Sequence, residues 1–119
     1  MNPDVPRMGL SLEGIQRRLP MLRQVSKEEL KPGDILFAKT RNSLYQIHNA
    51  GRGEVLVSGG WFERKSTAPS RTKVCGCTWG GSVIKVDILA ACGMCIEFGN
   101  RVTTSEVQTI IVLREESRN

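Results

Sequence analysis

At Pro32-Gly33 the hydrophobic pattern of this chain changes period, and the residues that follow are confined to short extended segments. Before that point Leu12, Ile15 and Leu19 recur every three to four residues, with Arg17 and Arg18 on the other side. This spacing predicts a short amphipathic helix over residues 11–19, N-capped by Ser11 and ended by Pro20. Ser26-Lys27-Glu28-Glu29 has the capping-box spacing and leaves room for at most one turn before Pro32. Beyond Gly33, segments 34–39, 44–48, 54–58, 72–78, 94–98, 101–104 and 107–113 read as strands parted by glycine- or asparagine-bearing turns. Segment 82–89 reads as extended and also admits a short helix.

The expected class is therefore all-β, α+β only at the margin through the helix, as a small barrel or β-roll of six to seven strands. The last strand carries Val107, Ile110, Ile111, Val112 and Leu113, apolar on both faces. It is expected to be central in its sheet or covered by the N-terminal helix. Paired glycines at Gly59-Gly60 and Gly80-Gly81 interrupt β-branched stretches and are expected to include positive φ or a close backbone approach. Residues 1–9 form a loose lead-in, 10–113 a single globular domain with the barrel over about 34–113, and 114–119 a polar tail. At 119 residues such a domain buries roughly 65% of the surface of its unfolded chain and folds without a metal or disulfide staple.

Thr40-Arg41-Asn42-Ser43-Leu44-Tyr45, Val57-Ser58-Gly59-Gly60, Gly80-Gly81-Ser82 and Thr103-Thr104-Ser105-Glu106-Val107 together resemble small uncharacterised bacterial β-barrel domains. The resemblance spans about residues 34–113 and rests on turn chemistry. It implies a fold and no activity, so no functional residue follows from it.

The first eight residues show no positively charged segment leading into an apolar run, and no stretch approaches the roughly 20 apolar residues of a membrane span. A cytoplasmic protein with no membrane partner is expected, and there thiols stay reduced. The window Cys75-Gly76-Cys77 … Cys92-Gly93-Met94-Cys95 then admits three readings. Zinc is the ion an all-sulfur set of Cys75, Cys77, Cys92 and Cys95 would hold. In a regular strand, however, Cys75 and Cys77 stand roughly 6–7 Å apart on one face, so zinc requires a kink at Gly76. Cys92 and Cys95 also have dithiol redox spacing, but that chemistry needs a helix N-terminus where a strand is expected. The third reading is four thiols that behave as small hydrophobes, with no cofactor.

No catalytic constellation accompanies them. His48 is the only histidine, and Asp34, Asp87, Glu97 and Glu106 form no paired-carboxylate motif. The net charge of +5 and pI of about 9.3 allow an anionic partner, nucleic acid or an acidic protein. Trp61, Phe62 and Trp79 flank glycine turns with Arg64, Lys65, Arg71 and Lys73 between them, the interleaving that single-strand-binding barrels use. The candidate surface is thus Trp61, Arg64, Lys65, Arg71, Lys73 and Trp79. Against it stands the need of a chain with six aromatics to bury most of them. A non-enzymatic binding module is the first reading, a zinc-stabilised or thiol-redox protein the alternative.

Overall fold

The structure is a computed structural model and describes residues 21–65, 68–79 and 83–115. The expected helix over 11–19, the lead-in 1–9 and the Gly80-Gly81 pair lie outside the described residues. The chain is mostly β: strands β1 (Gln24–Ser26), β2 (Ile35–Thr40), β3 (Leu44–Gly51) and β4 (Glu54–Gly59) precede helix α1 (Gly60–Arg64). Strands β5 (Ser70–Thr72), β6 (Val74–Thr78), β7 (Ile84–Lys85), β8 (Ile88–Ala91), β9 (Cys95–Phe98) and β10 (Val107–Leu113) follow.

The strands do not close into the expected barrel. They form a five-stranded sheet in the order β10-β2-β3-β4-β5, a three-stranded sheet β7-β6-β9 and a two-stranded ladder β1-β8. Every named pairing is antiparallel. Closure needs the first and last strands to pair, whereas β10 and β5 stay at opposite ends of their sheet. β10 is thus not central, although a bridge between Leu22 and Ile110 flanks its outer side. Its two apolar faces have separate burdens. Ile110 and Val112 enter the main core, while Ile111 joins Ile35, Phe37 and Leu113 in a second cluster on the opposite face.

The capping box at Ser26 forms: its N–H donates to Glu29 Oε1 at 2.7 Å and starts a single 3₁₀ turn, Lys27–Glu29. Gly59 has φ 91° and Gly60 φ 51°. A side chain at Gly59 would collide with the Leu44 carbonyl oxygen, because β3 and β4 approach there with Tyr45 opposite Gly59. That turn redirects the chain into α1, whose Phe62 is fully buried. Phe62 meets Phe98 of β9 edge to face at 5.3 Å, and Tyr45 of β3 packs 6.2 Å from the same Phe98 ring. These rings join the five-stranded sheet to the three-stranded one. Among the described residues no helix is long and apolar enough to cross a membrane.

Candidate functional site

The six candidate surface residues do not assemble into one platform. Trp61 and Arg64 lie on α1, and Lys65 is its C-cap. Trp61 packs against the core, edge to face with Phe62 at 5.3 Å, and its backbone N–H donates to the Tyr45 hydroxyl at 3.3 Å. Arg64 Nη1 donates to Ser43 Oγ at 3.4 Å, and Lys65 is exposed at the helix end. Arg71 lies on β5 and pairs with Glu54 at 3.0 Å, while Lys73 is exposed between β5 and β6. Trp79 stands apart. The Phe62–Phe98 contact ties α1 to the Val74 end of β6, since Val74 pairs with Phe98. Trp79 follows Thr78 at the other end, and five extended residues span about 16 Å.

Five of the six aromatics are packed inside or against the core clusters, as so lean a supply requires. Trp79 is the exception, with 59% of its surface exposed. The Lys85 ammonium lies 5.1 Å from the centre of its ring. The pairings Cys77 with Lys85 and Thr78 with Ile84 bring them together across the β6–β7 arm. Val83, Ile84 and Val86 are exposed on the same arm. Lys85 has no marker in the sequence beyond this pairing, and a strand of two residues is too short to reveal its register.

The cysteine window folds differently from what a zinc site needs. The kink at Gly76 is present, as a shift of register between Val74 and Gly76 in the β6–β9 ladder. It turns the thiols apart. Val74 and Cys77, three residues apart, both enter the core, so Cys75 leaves that face and stays half-buried. Cys77 pairs with inward-facing Ile96, which directs Cys95 on the preceding residue to the opposite face. Cys92, in the turn after β8, approaches the backbone carbonyls of Leu22 and Gln108 at 3.6 and 3.5 Å and donates its S–H there. Among the described residues, which include all four cysteines, no three His, Cys, Asp or Glu side chains stand together as ligands would. This placement does not fit tetrahedral sulfur ligation.

The thiol chemistry agrees. Burial pushes the Cys77 thiol up to about 11, with the neighbouring Cys95 adding to the rise. Burial, then the Glu106 carboxylate, raises Cys95 as well. A dithiol catalyst needs the reverse shift. Cys95 opens β9 and has no helix beneath it.

A concavity lies between the 3₁₀ turn, the β3–β4 hairpin and the β5–β6 junction. It measures about 390 Å³ and is rimmed by Lys27, Arg52 and Lys73. The Lys27 ammonium donates to the Cys75 carbonyl at 3.2 Å. In comparisons with known proteins the chain matches no family model, no curated protein and no solved structure.

Proposed function

We propose that this chain is a non-enzymatic binding module that engages single-stranded nucleic acid through the β6–β7 arm. The observation that carries the reading is Trp79: the least buried aromatic of a chain that packs its other five, set against the Lys85 ammonium. An exposed indole is a stacking surface for a base, a contact that contributes about 1–3 kcal/mol. Lys85 covers one approach to the ring and supplies a charge for a phosphate. The net charge of +5 favours encounter with a polyanion.

A second reading has its own support. Val83, Ile84 and Val86 are further exposed apolar side chains of the same arm, and exposed apolar surface also suits a protein partner. Salt separates the two. Binding to single-stranded oligonucleotides, measured by fluorescence anisotropy, is expected to weaken between 50 and 200 mM salt, by about two- to threefold for each phosphate contact. Absence of oligonucleotide binding at the lower salt overturns the nucleic-acid reading and leaves the apolar one.

A further inference from the structure

We propose that the cleft beside the β3–β4 hairpin is a binding site for a small organic anion: a phosphate, carboxylate or sulfonate head on an apolar body. Four elements build it. Lys27 and Leu30 come from the 3₁₀ turn region, Arg52 and Val55 from the β3–β4 hairpin, Lys73 and Val74 from the β5–β6 junction, and Leu89 from β8. Leu30, Val55, Val74 and Leu89 are buried core side chains and form the floor. The rim carries three cations and one carboxylate, Glu54, which Arg71 already neutralises at 3.0 Å. The local balance is therefore positive where the floor is apolar. An anion with a greasy body matches both halves.

Each cation is placed for such a ligand in a different way. The Lys27 ammonium is anchored by one donor on the Cys75 carbonyl, which leaves two of its three N–H donors for a ligand. Arg52 and Lys73 have no side-chain hydrogen bond or ion pair among the described residues. Arg52 is also held at φ 57°, a conformation that glycine or asparagine adopts with less strain. The volume sets the ligand's scale. About 390 Å³ lies near the lower end of the roughly 300 to 1,000 Å³ of small-molecule sites, which fits one or two rings.

The test uses the full chain and the fluorescent dye anilinonaphthalene sulfonate, an aromatic anion, with phenyl phosphate and inorganic phosphate as competitors. The expected result is saturable binding of one dye per chain, displaced by phenyl phosphate at concentrations where inorganic phosphate has no effect. Lys73→Glu and Arg52→Glu should each weaken the dye about tenfold or more, as loss of a charge-assisted hydrogen bond predicts, with the melting temperature retained. Lys73 is exposed outside any strand, so its variant keeps the test sound if the hairpin variant folds poorly. Trp79→Ala should leave dye affinity unchanged. The proposal is overturned by non-saturable binding, by affinity indifferent to Lys73→Glu, by equal displacement with inorganic phosphate, or by loss of binding in Trp79→Ala. The last outcome would place the dye on the β6–β7 arm.

Discussion

Arg114, just past β10, reaches back eighty residues to Asp34, its Nη1 standing 2.9 Å from the carboxylate Oδ2. The same carboxylate accepts the Lys31 N–H at 3.0 Å and, through Oδ1, the Glu115 N–H at 2.9 Å. Asp34 therefore ties the entrance of β2 to the exit of β10, the two ends of one antiparallel pair in which Leu113 faces Ile35. Burial of this carboxyl opposes ionisation, but the Glu115 amide, the Arg114 guanidinium and the Lys31 amide outweigh it and hold Asp34 below its ordinary value.

A carboxyl depressed in the folded state contributes stability above its unfolded value and loses it as pH falls through the folded one. The Asp34 contribution is thus complete at neutral pH and is lost progressively below pH 3.8. Asp34→Asn keeps the shape and removes the charge. It should cost about 1–3 kcal/mol at pH 7, towards the lower end because the Arg114 side chain, 39% exposed, stays hydrated. Urea melts should show the gap from wild type narrowing below pH 3.8, and a gap constant with pH would refute the assignment.

Gly59→Ala and Gly53→Ala should part widely. Both glycines have positive φ, 91° and 77°, so both variants carry backbone strain of about 1 kcal/mol. A Cβ at Gly53 meets open space, whereas at Gly59 it meets the Leu44 carbonyl, a backbone atom fixed in β3. Forcing the strands apart adds roughly 1–3 kcal/mol there. Equal shifts of melting temperature for the two variants would contradict the close approach of β3 and β4.

Much of the β architecture is legible in the sequence, because alternation in 34–39 and 54–58 and the β-branched run of 107–113 are long enough to show their period. The structure places β2, β4 and β10 there, within a residue or two at each end. Gln24–Ser26 and Gly60–Arg64 escape notice because three and five residues carry no period. Residues 72–78 read as one strand, yet the chain breaks at Lys73 into β5 and β6, which belong to different sheets. Sheet membership depends on partners distant in sequence, and so does closure. The candidate surface fails to assemble for the same reason: Trp61 and Trp79 look equivalent beside their glycines, and only the packing of Phe62 on Phe98 separates them. Lys27, Arg52 and Lys73 meet at one cleft from three distant segments, which local pattern cannot show.

The four thiols should react in a fixed order. Alkylation depends on the thiolate, and burial both raises Cys77 to about 11 and shields it from reagent. In native protein at pH 7.5 Cys77 should be the last cysteine modified by iodoacetamide, becoming reactive only on unfolding. Half-buried Cys75 should precede it. Peptide mapping by mass spectrometry reads the order directly, and early labelling of Cys77 would overturn its placement in the core.

Alanine at the two tryptophans should produce opposite outcomes. Trp61 packs against the core and lies edge to face with Phe62, so Trp61→Ala removes contacts that hold α1 on the sheet. The cost should be about 2–4 kcal/mol, below the full range for a completely buried tryptophan because the ring is only partly covered. Trp79, 59% exposed, contributes one cation–π contact with Lys85, a stabilisation of about 0.5–1 kcal/mol at an exposed site. Its loss should shift the melting temperature by no more than a few degrees. Affinity should follow the reverse order. Trp79→Ala should weaken oligonucleotide binding by about 1–3 kcal/mol, the contribution of one stacked base, while Trp61→Ala that remains folded should bind nearly as wild type. Lys85→Glu tests the same surface without touching the indole, and should weaken binding at low salt more than at high salt. Melting curves and anisotropy titrations on these three variants decide the matter. If Trp79→Ala binds as wild type while Trp61→Ala loses affinity without unfolding, recognition belongs to α1 and not to the β6–β7 arm.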